Sequence, residues 1–331
     1  MSSSSSGAGG ESSSSSTGTT TSSTSTASGT GGMGGTGGGT GGSGLSMSAS
    51  FDAAIALDAT PDANGTKVFF TAAGGPNGVG VYSAAADGSG TVGEVKAGAP
   101  FAAPFGIATS TDGAQLYIAD PGATDPTSKK DLGVIFSLPV GGGTPSVIAG
   151  SNATEARNLE VAKEGNADTI YFTGRDKTDG QVGVFKIPAA GGAVTAVAKG
   201  APFVDPSGIA VAADGTVYVA DTRGAGTGLA NIIKVSGGTA SVLLADVRVG
   251  YPAGVALSQN DKTLYVSALD PAKLTDQILA IDIAAKTATS IVTGIDTFSE
   301  AAGLHRAKKA SVFSLADITA GPNRGKIIVF K

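Results

Sequence analysis

Six copies of one unit, each holding four short strand-like runs, predict an all-β chain built as a six-bladed β-propeller with four antiparallel strands per blade. Three observations carry this expectation. A marker aromatic recurs in a short apolar run: Phe69 in VFFTA, Tyr117 in LYIAD, Tyr171 in IYFTG, Tyr218 in VYVAD, Tyr265 in LYVSA and Phe313 in VFSLA. The spacings are 48, 54, 47, 47 and 48 residues. Two copies match over more than twenty residues, APFAAPFGIATSTDGAQLYIADP from Ala99 and APFVDPSGIAVAADGTVYVADTR from Ala201. The last unit stops one strand short at GKIIVFK, and LSMSASF from Leu45 lies upstream of the first unit to supply it.

The fourth copy shows the elements in order. SGIAVA from Ser207 reads as strand one. Asp214-Gly215 reads as a hairpin turn, because both residues tolerate positive φ. TVYVAD is strand two, TRGAGTGLA a polar loop, NIIKVS strand three, Gly237-Gly238 a turn, and ASVLLAD strand four. The apolar residues alternate or cluster in β-branched runs, as half-buried and fully buried strands do. A blade buries its faces only against its neighbours, so the ring must close. Closure by the N-terminal strand latches the two ends of the chain together and leaves no long open edge.

Residues 1–44 are almost wholly Ser, Thr and Gly, with Glu11 the only charge. Such a segment has no apolar surface to offset its ordering entropy and reads as a disordered tether, followed by the propeller at 45–331. The tether resembles the spacer behind the lipid-bearing cysteine of bacterial lipoproteins. It raises the expectation of an extracytoplasmic protein, in the periplasm or at the cell surface, touching a membrane only through a lipid anchor encoded upstream of Met1. A signal peptide in frame upstream would support that expectation, and its absence would remove it.

The net charge of −5, with Lys308-Lys309 the longest basic run, argues against a nucleic-acid partner and leaves that pair to a solvated loop or strand edge. With no cysteine there are no disulfides, no thiolate chemistry and no Cys-type zinc site. With one histidine, His305, an imidazole-rich zinc site is out of reach within one chain. No Gly-x-Ser-x-Gly elbow pairs with His305, which reads as a pore-lining or packed histidine.

With no tryptophan, the chain lacks the signature of WD40 and quinoprotein blades. DPSGIAVAADGTVYVADTRG, residues 205–224, instead resembles the NHL repeat and the related SMP-30/gluconolactonase-like propellers. The fifth unit, TLYVSALDPAKLTDQILAIDIAAKTATSIV, is similar to YVTN-type bacterial surface propellers. The resemblance implies six blades. It leaves function open, because this fold hosts hydrolases, binders and interaction platforms.

Loops on a rigid scaffold collect function. The long ones, PGATDPTSKKDL after Asp120, RDKTDGQ from Arg175, TRGAGTGLA after Asp221 and DPAKLTDQ from Asp270, are expected at one mouth of the central channel. Polar residues where strand one begins should ring that mouth: Asp52, Arg157, Asn158, Asp205, Ser207, Tyr251 and Glu300, with His305 further along strand one of the last unit. Asp120, Arg175, Asp221 and Asp317, at the ends of strand two, should join them. Asp120 and Asp221 also read as loop anchors, since an Asp past a strand accepts hydrogen bonds from nearby backbone N–H groups. Arg223 has no counterpart in the second copy, where Gly122 stands, so it is a candidate for specificity.

The resemblance to SMP-30-like lactonases also implies a calcium site, carried onto Asn158 with Asp52 and Asp205 as partners; calcium takes six to eight oxygen ligands. The family's early Glu-Gly-Pro is absent, and SFDAAIAL stands in its place. The leading expectation is a monomeric, non-enzymatic binding module for a small ligand, glycan or protein. The alternatives are a calcium-dependent lactonase-type hydrolase and a structural spacer in a surface assembly.

Overall fold

The computed structural model describes residues 44–331, apart from 126–128, 130–131, 225, 227, 298–300 and 319–324. The tether, but for Gly44, and Glu300 therefore lie outside the described residues. The rest forms six four-stranded antiparallel sheets, and no helix occurs among the described residues.

The chain enters through β1 (Met47–Asp52), an outermost strand. Blade one follows as β2 (Ala56–Pro61), β3 (Lys67–Gly75), β4 (Gly78–Ala85) and β5 (Gly93–Ala97). Blade two is β6 (Gly106–Thr109), β7 (Gln115–Thr124), β8 (Leu132–Pro139) and β9 (Ser146–Val147). Blade three is β10 (Leu159–Glu164), β11 (Ala167–Arg175), β12 (Val182–Pro188) and β13 (Thr195–Lys199). Blade four is β14 (Pro206–Val211), β15 (Val217–Asp221), β16 (Leu229–Ser236) and β17 (Thr239–Arg248). Blade five is β18 (Val255–Leu257), β19 (Thr263–Asp270), β20 (Thr275–Asp282) and β21 (Thr287–Thr297). Blade six holds β22 (Ala301–Arg306), β23 (Phe313–Asp317) and β24 (Lys326–Phe330), and β1 completes it.

The latch is a full ladder. Met47 pairs with Phe330 and Asp52 with Lys326. Beyond the strands, Ser46 and Lys331 exchange both backbone hydrogen bonds, at 2.8 and 2.9 Å. The turns follow their residues: Gly215 sits at φ +82°, and Asp214 accepts the Thr216 N–H at 2.8 Å.

Six apolar clusters hold the ring, one at each junction between blades. The first five marker aromatics pack against the next blade: Phe69 with Ile107 and Leu116, Tyr117 with Leu159 and Ile170, Tyr171 with Ile209 and Val217, Tyr218 with Val255 and Leu264, and Tyr265 with Leu304 and Leu315. Fully burying one such side chain is worth about 1.5–3 kcal/mol, so an open ring would lose a whole junction's worth. The sixth junction departs from the pattern. The ladder pairs Ser314, not Phe313, with the strand-one residue His305. Phe313 turns back to meet Tyr265 edge-on at 5.0 Å, and the Ser314 hydroxyl donates to Ala59 O across the seam to blade one at 2.8 Å.

Candidate functional site

Strand one of every blade lines the axis, and the ladders fix which residues stand level. The partners of Phe69, Tyr117, Tyr171, Tyr218, Tyr265 and Ser314 are Thr60, Ala108, Glu160, Ala210, Ala256 and His305. Two residues earlier in each blade stand Asp58, Gly106, Asn158, Gly208, Gly254 and Gly303. At the four glycines, neighbouring first strands crowd so closely that a side chain is excluded. A Cβ on Gly254 would lie 2.1 Å from Leu304 N, and one on Gly303 would lie 1.6 Å from Asp58 Oδ1. The two layers are thus small residues interrupted by Asp58 with Asn158 in one, and by Glu160 with His305 in the other.

Those four, with Lys308, form a closed network at the waist of the channel. Asp58 is buried and accepts four donors. Ala59 N donates to Oδ1 at 2.9 Å; Ile107 N, Asn158 Nδ2 and His305 Nε2 converge on Oδ2 at 2.9, 3.0 and 3.1 Å. The other ring nitrogen, His305 Nδ1, faces Glu160 Oε2 at 3.6 Å. Lys308 Nζ ion-pairs with Glu160 Oε1 and donates to Val161 O at 2.9 Å. His305 is only 1% exposed. Burial alone would lower its pKa, but the carboxylates of Asp58 and Glu160 outweigh that and raise it to about 9. Burial likewise pushes Glu160 up, and Lys308 with His305 overrides it, holding the carboxyl down at about 2. Two cations and two carboxylates therefore face one another, and Asn158 donates to Asp58 beside them. Lys308, read from sequence as solvated, instead turns inward because Glu160 needs a counter-ion.

Above the waist, where the first strands begin, a cavity of about 430 Å³ opens to solvent. Phe105, Pro121, Tyr251 and Pro252 form its apolar wall; Glu155, Arg157 and Ser207 supply polar groups. Arg157 ion-pairs through Nη1 with Asp205, and Arg223 Nε reaches the other Asp205 oxygen at 3.4 Å. The Arg223 guanidinium sits 5.1 Å from the centre of the Tyr251 ring, a cation–π distance. Glu155 is engaged by Arg175 Nε at 3.2 Å. Ser207 is buried, with its one hydroxyl proton shared between the Ala220 and Ala253 carbonyls, 3.2 and 3.1 Å from Oγ. At the opposite end of the channel a second opening, about 580 Å³, is lined by Lys163, Glu164, Tyr171, Asp261 and Arg306 among others.

The structure thus gathers Arg157, Asp205, Arg223 and Tyr251 at one mouth and places Asn158 and His305 in the waist beneath it. Asp52 is elsewhere. It ends β1, the outermost strand of blade six, and lines a separate cavity of about 380 Å³ with Phe70, Pro76 and Val92. Residues 53–55 are spent carrying the chain inward, so Asp58, not Asp52, holds the strand-one position of blade one. Asp120 and Asp221 are loop anchors. Asp120 accepts N–H groups of Ala102, Ala103, Gly122 and Ala123 at 2.9–3.1 Å; Asp221 accepts those of Val204 and Asp205 at 2.6 and 2.8 Å. Burial raises the pKa of both carboxyls against those bonds. Asp120, Asp221 and Asp317 are all fully buried and present nothing to the mouth.

The residues that the resemblance assigned to calcium do not fit the ion. The three do not converge: Asn158 is tied to Asp58 through Nδ2 at the waist, Asp205 is held by two arginines at the mouth, and Asp52 lies in another cavity. Among the described residues no three His, Cys, Asp or Glu side chains form a metal cage. At the waist the His305 cation occupies the ground between the two carboxylates.

No protein-family model and no curated protein matches this chain. Solved structures share its fold. A gluconolactonase from Xanthomonas campestris superposes with a TM-score of 0.58 at 17% identity, over 84% of this chain and 87% of that one. A chain of a nidogen/laminin complex gives 0.54 at 18%, over 76% and 85%. A TolB candidate from Agrobacterium tumefaciens gives 0.54 at 13%, over 84% and 90%. At these identities the likeness is one of fold, the six-bladed β-propeller.

Proposed function

We propose that this propeller is a non-enzymatic binding module that takes a small ligand into the mouth cavity bounded by Arg157, Tyr251 and Pro252. The observation that carries the reading is an open cavity over a closed floor. Its volume of about 430 Å³ falls within the roughly 300–1,000 Å³ usual for ligand pockets. Its wall is apolar with a few convergent polar groups, as such pockets are. The acid–base groups that hydrolysis would draw on, His305, Asp58 and Glu160, are consumed in one another beneath it. Kinship with NHL and SMP-30-like propellers belongs to the proposal and rests on the sequence pattern at 205–224. An extracytoplasmic setting belongs to it too, supported by the composition of residues 1–44 alone.

A thermal-shift screen of the full chain against sugars, sugar acids, amino acids and cyclic acids tests the reading. Hits should disappear in Tyr251→Ala. Hits that survive both Tyr251→Ala and Arg157→Gln would place binding elsewhere and sink it. A melting curve with millimolar calcium against chelator should show no shift; a clear stabilisation by calcium would favour the hydrolase.

A further inference from the structure

We infer that the ligand of the mouth cavity carries a carboxylate on a flat, largely apolar or ring-shaped body. This rests on the reading of the mouth as a binding site and specifies what binds there. Two guanidinium groups, Arg157 and Arg223, share the single carboxylate of Asp205. The neighbouring carboxyl, Asp221, is turned away to the backbone N–H groups of Val204 and Asp205 and is spent on them. The other carboxylate at the cavity, Glu155, is engaged by Arg175. Among the described residues, the mouth is therefore one acceptor group short on the side of Arg157 and Arg223.

Arg157 is the cation that lines the cavity, and among the described residues only its Nη1 is engaged. A guanidinium presents five N–H donors in a fixed fork that matches a carboxylate in two places. Asp205 holds that fork in orientation before any ligand arrives, and Asp221 holds the Asp205 backbone. The remainder of the wall, Phe105, Pro121, Tyr251 and Pro252, offers rings and no charge. The Tyr251 ring is itself positioned by Arg223 stacked on it. A ligand carboxylate on Arg157, with its ring against Tyr251 and Pro252, uses both halves of the cavity. A neutral polyol would leave the remaining guanidinium donors without an anionic acceptor, and a cation would be repelled.

The test is isothermal titration of the full chain with phenylacetate and cyclohexanecarboxylate, each against its uncharged amide. Each acid is expected to bind at least about tenfold more tightly than its amide, the scale of one charge-assisted hydrogen bond. Arg157→Gln should erase that difference while leaving amide binding in place. If Arg157→Gln does not fold, Arg223→Gln at the exposed rim gives the second readout, weakening the acids about threefold and the amides not at all. Equal binding of acid and amide overturns the carboxylate class and leaves the mouth standing as a binding site. So does binding of neutral sugars with no acid bound up to about 10 mM. Acid preference that persists in both arginine variants overturns the assignment to this cavity. Silence from every acid, amide and sugar overturns the class and the binding reading together.

Discussion

The waist lies on the first strands and the mouth on the loops that lead into and flank them, and the two use charge in opposite ways. At the waist, Asp58, His305, Glu160 and Lys308 are largely withdrawn from water and are matched against one another and against nearby backbone groups. At the mouth, Arg157 and Arg223 keep about a third and two thirds of their side chains in solvent and share one Asp205. A buried charge without its partner is very costly, whereas an exposed one is nearly free. The waist can therefore fix the ring but has no capacity for a newcomer. The mouth contributes little to the fold and retains donors to offer.

Variants should separate the two regions by size of effect. Asp58→Ala removes the acceptor of four hydrogen bonds and the nearer of the two carboxylates facing the buried His305, and it should cost about 3–5 kcal/mol of unfolding free energy in urea titrations. A loss under about 1 kcal/mol would mean that the waist is hydrated and the contrast with the mouth is false. Gly303→Ala should come next, at about 2–4 kcal/mol. It adds a Cβ 1.6 Å from Asp58 Oδ1 at a residue with φ of +55°. Restoration of stability by pairing it with Asp58→Ala would show that the clash, not the backbone, dominates.

The pH dependence is a finer test. His305 has its pKa raised from 6.5 to about 9, so its contribution is full below about 6.5 and is lost as pH rises through about 9. Glu160 has its pKa lowered from 4.5 to about 2, so its contribution is full above about 4.5 and is lost as pH falls through about 2. Melting temperature should therefore peak between about 4.5 and 6.5. His305→Gln should lower the peak and flatten the alkaline limb, and an unchanged limb would detach it from His305. The smallest effect belongs to the mouth. Arg223→Gln should change stability by about 0.5 kcal/mol or less, visible as an unmoved melting curve beside altered ligand binding.

Most of the architecture was legible because it repeats. Six marker aromatics, the Asp-Gly turn at Asp214 and the strand-rich Leu45 segment each correspond to an observed element, and the N-terminal strand does close blade six. The mouth was legible in Arg157, Asp205, Arg223 and Tyr251, since all lie where strand one begins or in the loop beside it. The waist was missed at Asp58 for a definable reason. Blade one was entered at Asp52, as though the chain passed straight from the latch to the axis. Counting back from Phe69 the eleven residues that separate Gly106 from Tyr117, and Gly254 from Tyr265, lands on Asp58. Glu160 was hidden by the longer hairpin of blade three, and Lys308 by its exposed-looking neighbour Lys309. Their pairing comes from three blades meeting across the axis, and no single stretch of sequence contains it.

The latch also determines how the molecule is oriented when handled. β1 runs from Met47 toward Asp52, and from there the chain crosses to the end of the channel where the mouth cavity opens. Met47 and Lys331 therefore sit together at the far end of blade six, on the side away from that cavity. A bead, chip or fused protein attached at Ser46 or at Lys331 would hold the propeller by the same corner. In either case Tyr251 and Arg157 would face outward into solution.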